Sequence, residues 1–133
     1  MAELGNLANK PVEVITGNDN IVIKKYIDGY EGGRTLDITG YALPTIKAGH
    51  VVIRETATGT CKPMPLTSAN DAYGALPAGH EYIGIVVATV LTERPFVGVL
   101  TNGTVNPAAA PYPYDTILTA LKAALPQVEF RKD

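Results

Sequence analysis

The side chains of this chain that could act as nucleophiles or bases are few and widely spaced. Ser68 is the only serine, Cys61 is the only cysteine, and His50 and His80 are the two histidines. Nucleophilic catalysis needs a nucleophile beside a base that a third group orients. No GxSxG motif surrounds Ser68, and only a coincidence of folding would pair Cys61 with His50. We therefore expect no enzyme activity.

The spacing of these residues does not match a metal or phosphate site either. The two histidines and the thiol lie far apart, and no HxH, CxxC or HExxH motif joins them. The phosphate-binding motifs GxxxxGK[ST] and GxGxxG are missing as well. We expect no cofactor and no metal, and we expect both histidines to begin strands after Ala-Gly turns, at the surface or in an interface.

Tyrosines are the remaining candidates for a binding surface. A tyrosine combines an apolar ring with a polar hydroxyl, which suits protein interfaces and carbohydrate platforms. Tyr26, Tyr30 and Tyr73 are the candidates for a trimer surface or a ligand surface. Half-buried packing in the core or in loops is the more common role for each of them, and the sequence leaves both roles open.

Composition limits the class of protein. A chain of 133 residues predicts one domain. The 13 glycines and 10 prolines favour many short elements with tight turns over long helices. The net charge is −2 and the basic residues are scattered, so we expect no nucleic-acid partner.

The sequence shows no signal for secretion and no segment that could span a membrane. A single cysteine allows no disulfide within the chain. The start, MAELGNLANKPVEV, lacks the basic and apolar regions of a secretion signal. The longest apolar run, 83–91, is far too short for a membrane span. We expect no membrane association.

Alternating apolar residues between turn signals predict a chain built largely of short strands. Residues 1–11 lack a clear period and are interpreted as an N-terminal arm, followed by a single β-rich domain over residues 12–133. Within that domain we predict a β-hairpin at 12–27, whose second strand covers 21–27, and a β body at 34–106.

The C-terminal part predicts one helix and one last strand. Leucines and an isoleucine form a single apolar stripe over residues 114–125, which is typical of a helix packed on a core. Asp115 suits the helix start and Pro126 ends it. Alternation over residues 127–131 predicts a short terminal strand.

The stretch VGVLTNGTVN, residues 97–106, breaks an apolar run with Asn102-Gly103. Asn-Gly is the preferred pair for a tight type I′ turn. We interpret it as a corner that leads from a strand toward the terminal helix. The predicted fold class is therefore mainly β, a small β-barrel or β-tulip-like domain with one C-terminal α-helix.

Five stretches occur in an order that is typical of one group of proteins. They are GGRTLDITGY (32–41), IKAGHVVIRETATGTCKPMP (46–65), YIGIVVATV (82–90), FVGVLTNGTVN (96–106) and PYDTILTALKAALPQVEF (113–130). In this order the chain resembles the capsid decoration proteins of tailed bacteriophages, the group typified by the head decoration protein of phage lambda. It is also similar to head fibre or auxiliary capsid proteins of phages of gut bacteria.

The resemblance implies a structural virion protein. Such a protein is made in the cytoplasm of the host bacterium and binds the major capsid protein on the outer surface of the capsid. It forms homotrimers at three-fold or quasi-three-fold positions and stabilises or decorates the shell. The alternative is a head-fibre protein, or a module displayed on the particle that binds carbohydrate or the host surface.

The resemblance also implies how the chain would hold the shell. In the family the N-terminal arm adds a strand to a capsid loop, in which backbone hydrogen bonds supply the affinity. The corresponding candidates for capsid-binding residues in this chain are Leu4, Leu7, Pro11, Val12 and Val14.

Overall fold

The structure is a computed structural model that describes residues 19–30, 32–39, 41, 43–67 and 72–131. The arm and the five predicted capsid-binding residues lie outside these ranges, as does the predicted first strand of the hairpin. The described residues form ten strands and two helical segments. In chain order these are α1 (Asp19–Val22), β1 (Ile23–Gly29), β2 (Arg34–Thr35), β3 (Thr45–Ile46), β4 (Val51–Glu55), β5 (Cys61–Pro63), β6 (His80–Val86), β7 (Val90–Leu91), β8 (Phe96–Val97), β9 (Val99–Val105), α2 (Leu118–Ala124) and β10 (Val128–Phe130).

The central sheet has the strand order β1-β9-β6-β4-β5, and each of these neighbours is antiparallel. Strand β9 pairs with β1 along one edge. On its other edge it pairs with β6 at Val99 and Leu100, and then with β10 from Gly103 to Val105. Strand β10 is parallel to β9 and occupies the place beside it that β6 leaves.

Two clusters of apolar side chains pack on the two faces of this sheet. Val51 and Ile53 of β4 belong to the first cluster and Val52 belongs to the second, as the alternation of side chains along a strand requires. Helix α2 covers the first cluster through Leu121. The two-stranded sheets β2–β8 and β3–β7 contribute to the second cluster, for example through Val97.

A bulge in β6 changes which residues of this strand face each cluster. Between the pairs Val52–Gly84 and Ile53–Tyr82, strand β6 carries one extra residue, Ile83. An extra residue reverses the alternation of side chains along the rest of the strand. After the bulge Ile85 faces the first cluster and Val86 the second, and the apolar run of β6 is continuous because both faces of the strand are buried.

The prediction of a mainly β fold with one helix is confirmed, and α2 is the single described helix of seven or more residues. The prediction of a barrel is wrong, because the sheet does not close. Closure requires the two outer strands to pair with each other. Strands β1 and β5 lie at opposite ends of the described sheet, and β5 has only three residues.

The helix is shorter than the predicted range 114–125. It covers Leu118–Ala124, and its N-cap residue is Ile117, which makes no capping hydrogen bond through its side chain. The prediction that Asp115 supports the helix start is therefore wrong. Tyr114 is 2% exposed within the first cluster, and its carbonyl oxygen accepts a hydrogen bond from the N–H of Ile117 in the turn that precedes α2. The predicted terminal strand is present as β10.

The predicted corner at Asn102-Gly103 is wrong, because both residues lie inside β9. Gly103 pairs with Tyr26 of β1 on one side and with Val128 of β10 on the other. A Cβ atom at Gly103 would collide with the carbonyl oxygen of Lys25. The glycine is needed for close approach of two strands, so the pairing overrides the turn preference of the dipeptide.

The strand predicted at 21–27 begins two residues later than expected. Residues Asp19–Val22 form one helical turn, and β1 then pairs with β9. The predicted partner strand of the hairpin lies outside the described residues.

Candidate functional sites

Strand β1 presents an exposed surface with apolar side chains. Its five central residues, 24–28, are all exposed. Tyr26 and Ile27 each expose 54% of their area, and Ile21 just before the strand exposes 50%. Successive side chains of a strand point to opposite faces, so β1 is exposed on both faces. Exposed apolar side chains close together are typical of protein contact surfaces.

The three tyrosines predicted to share a surface differ in burial. Tyr26 is exposed and Tyr30 is half-buried, with the guanidinium of Arg34 at 4.6 Å from its ring centroid. Tyr73 is only 4% exposed, so its prediction as a surface residue is wrong. Its hydroxyl accepts a hydrogen bond from the backbone N–H of Val51 at 3.1 Å and donates one to the carbonyl oxygen of Gly49 at 3.3 Å.

The prediction that both histidines lie at the surface or in an interface is wrong for His50, which is fully buried just before β4. Its Nε2 atom lies 2.9 Å from the carbonyl oxygen of Met64, so Nε2 carries the hydrogen. The rings of Tyr41, Tyr73 and Tyr112 contact the imidazole edge to face. We call His50 and these three tyrosines the histidine–tyrosine cluster.

The environment of His50 keeps its imidazole neutral. Its Nδ1 atom is buried and has no hydrogen-bond partner among the described residues. Burial therefore lowers the pKa of His50 to about 4, and the hydrogen bond with Met64 acts in the opposite direction. The pKa of Tyr73 is raised, again chiefly by burial. The cluster packs the core and stays uncharged at neutral pH.

The residues that sequence analysis considered for catalysis are not brought together. Cys61 packs in the second cluster, whereas His50 contacts Met64 and the tyrosines. Ser68 lies outside the described residues. Within the described ranges no group of three or more His, Cys, Asp and Glu side chains could hold a metal ion.

His80 begins β6, as predicted, and it lies beside a cation. Its Nδ1 atom is 3.0 Å from the carbonyl oxygen of Ala78, so Nδ1 carries the hydrogen in the neutral ring. Its Nε2 atom then accepts a hydrogen bond from the Nζ atom of Lys62, at 3.2 Å. This arrangement fixes the tautomer of His80 and the position of the ammonium group.

The Lys62–His80 pair lines a cleft of about 280 Å³ beside β5. On the same cleft Asp37 accepts two hydrogen bonds at Oδ1, from the N–H of Thr39 at 3.0 Å and from its hydroxyl at 2.7 Å. These bonds, with a smaller effect of Lys62, lower the pKa of the Asp37 carboxyl. The remaining lining is largely apolar and includes Tyr41, Ile53, Pro63, Pro65, Leu66 and Pro77.

The cleft was not predicted from the sequence. Its polar residues come from three segments that are far apart in the chain, and the fold alone brings them together. Each of Asp37, Lys62 and His80 looks like an ordinary surface residue in its own segment. The spacing Pro63-Met64-Pro65 was the one local signal, because closely spaced prolines favour a rigid, extended wall.

Comparisons with family models, curated proteins and solved structures found no match for the chain. Among the described residues, none of the helices is long and apolar enough to cross a membrane.

Proposed function

We propose that the protein is a structural virion protein that binds the outer surface of a phage capsid and stabilises or decorates it. The proposal begins from the ordered sequence stretches that resemble capsid decoration proteins. The observation that carries it in the structure is β1, a strand exposed along residues 24–28 with Tyr26 and Ile27 at its centre. The body behind β1 is mainly β and well packed.

The proposed mechanism needs contact surfaces and no chemistry. The arm over residues 1–11 would add a strand to a loop of the major capsid protein, because backbone hydrogen bonds give affinity with little demand on sequence. Each trimer would bind several capsid subunits at once. Linked weak contacts of this kind gain affinity by multivalency.

Strand β1 supplies a surface for the trimer in this proposal. Tyr26 and Ile27 are successive residues of β1 and point to opposite faces of the strand, so each adds exposed apolar area to a contact that covers both faces of this edge. The tyrosine platform of the alternative, a carbohydrate- or host-binding surface on Tyr26, Tyr30 and Tyr73, is disfavoured because Tyr73 is in the core.

The number of copies of this protein in each phage particle tests the proposed decoration role. Quantitative mass spectrometry of particles purified from the phage that encodes the protein would give its ratio to the major capsid protein. A ratio on the order of one supports a decoration layer over the lattice, because symmetric assembly fills every equivalent position. A ratio far below one supports a head-fibre role at selected positions. Absence from the particle would overturn the proposal.

A further inference from the structure

The cleft beside β5 is separate from the surface used in the proposed function. Lys62 and Pro63 belong to β5, at one end of the central sheet, whereas β1 lies at the other end. A ligand of the cleft would therefore leave β1 accessible. Ligand binding in the cleft is therefore independent of the proposed capsid role.

The polar groups of the cleft offer both a donor and an acceptor. The Lys62 ammonium has three hydrogens, and one of them is used by His80 Nε2. The Asp37 carboxylate lines the cleft and receives both hydrogen bonds from Thr39 at Oδ1, which leaves Oδ2 as an acceptor for a ligand. A hydroxyl group can accept from an ammonium and donate to a carboxylate at the same time.

The charges of the cleft favour a neutral ligand. Asp37 is ionised, because its pKa is lowered by the Thr39 hydrogen bonds, and it offsets the charge of Lys62. An anionic ligand would meet the Asp37 carboxylate, and a cationic ligand would meet the Lys62 ammonium. A neutral ligand with hydroxyl groups is repelled by neither Asp37 nor Lys62, and it still forms charge-assisted hydrogen bonds with both.

The apolar lining and the size of the cleft limit the possible ligands further. Tyr41, Leu66 and three prolines give surfaces for C–H groups rather than for more hydrogen bonds. A volume of about 280 Å³ is near the lower end of small-molecule sites, about 300 Å³. A sugar ring combines an apolar C–H face with hydroxyl groups around its edge, and it is compact.

From this combination we propose that the cleft binds a neutral saccharide. Asp37 accepts from sugar hydroxyl groups, Lys62 donates to them, and His80 holds the Lys62 ammonium in place. The apolar wall, including Tyr41, packs against the C–H face of the ring. His80 is a positioning residue in this arrangement, because its Nε2 atom is occupied by Lys62.

Chemical-shift mapping by NMR on the full chain tests the proposal. The probes are glucose, galactose, mannose and N-acetylglucosamine with their disaccharides, and glucuronic acid and glucosamine serve as charged comparators. We expect at least one neutral saccharide to shift the backbone amides of Asp37, Lys62 and His80 in a saturable way. The charged comparators are expected to bind more weakly than their neutral parent.

Matched variants distinguish binding at this cleft from non-specific binding. We expect Asp37→Ala and Lys62→Met each to weaken binding about tenfold, because each removes one charge-assisted hydrogen bond. Asp115→Ala and Lys122→Met remove the same groups from exposed positions elsewhere and should bind like the natural chain. Thermal unfolding of each variant checks that it folds.

Three results would overturn the proposal. The first is that no saccharide of the panel shifts the cleft amides. The second is that a charged comparator binds as tightly as its neutral parent. The third is that folded Asp37→Ala and Lys62→Met variants retain full affinity. None of these results bears on the copy number in particles, so the two proposals fail separately.

Discussion

The imidazole of His50 and the ring of Tyr73 meet edge to face in the core, with their ring centroids 5.4 Å apart. Tyr112 contacts both rings, at 5.5 Å from His50 and 5.4 Å from Tyr73. The segment around Tyr73 and the segment around Tyr112 are thus joined to β4 through one neutral histidine. The groups facing that histidine among the described residues are tyrosines, which carry no charge at neutral pH.

Acid should destabilise the protein through His50. Its pKa is about 4 in the folded chain and 6.5 in the unfolded chain, so the unfolded state binds the proton more tightly. The stabilisation is complete above pH 6.5 and is lost as the pH falls toward 4. We expect a loss of about 2 kcal/mol between pH 7.5 and pH 5. Urea unfolding at a series of pH values measures it.

Two variants identify the group responsible for this loss. His50→Gln should be less stable than the natural chain at pH 7.5. Its free energy of unfolding should not decrease further between pH 7.5 and pH 5. His80→Gln is the control, because His80 lies near the surface with its Nδ1 and Nε2 atoms both hydrogen-bonded. The His80→Gln variant should still lose free energy of unfolding between pH 7.5 and pH 5. An unchanged acid loss in a folded His50→Gln variant would contradict the assignment.

The sequence predicted where His50 lies along the chain but not how deeply it is buried. The Ala48-Gly49 turn predicted that a strand begins at His50, and β4 begins one residue later, at Val51. Its burial depends on Tyr73 and Tyr112, which are 23 and 62 residues away along the chain and contact it only through tertiary packing. No local pattern contains that information, because a histidine before a strand is compatible with either environment.

A side chain at Gly103 should disrupt the pairing of β1 with β9. The alanine Cβ atom would meet the Lys25 carbonyl oxygen, which is fixed in the neighbouring strand. The φ angle of 157° adds strain for a residue with a side chain. We expect Gly103→Ala to lower the free energy of unfolding by about 2–4 kcal/mol, as measured by urea unfolding.

Gly98→Ala is the matched control for that variant. Gly98 lies just before β9 and is exposed, and its added Cβ atom would make only ordinary contacts, 3.5 Å from atoms of Val87. The change should stay below about 1 kcal/mol. Equal effects of the two substitutions would mean that strand approach at Gly103 is not the cause.

The same glycine shows why the fold was predicted only in part. Alternating apolar residues gave the strand-rich class and a final strand after the helix, because these depend on local periodicity. The register did not follow from the sequence. Asn102-Gly103 favours a turn locally, but pairing with Tyr26 and Val128 continues the strand. Long-range pairing outweighed a local preference at that point.

Removal of residues 1–11 should abolish capsid binding while the β body stays folded. The proposed function assigns the capsid contact to this arm and the fold to the packed β body. Co-sedimentation of the truncated chain with capsids that lack the protein measures the first effect, and thermal unfolding measures the second. Full binding by the truncated chain would contradict the role of the arm.

Polar substitutions on β1 should weaken the proposed trimer without weakening the fold. Tyr26 and Ile27 each expose 54% of their area, so serine at both positions should change the free energy of unfolding by less than about 1 kcal/mol. We expect the double variant to shift from trimer toward monomer in light scattering coupled to size-exclusion chromatography. Phe96→Ser is the control, because Phe96 is 57% exposed but lies in β8. A trimer that survives the double variant, or that Phe96→Ser disrupts equally, would rule out β1 as the specific trimer contact.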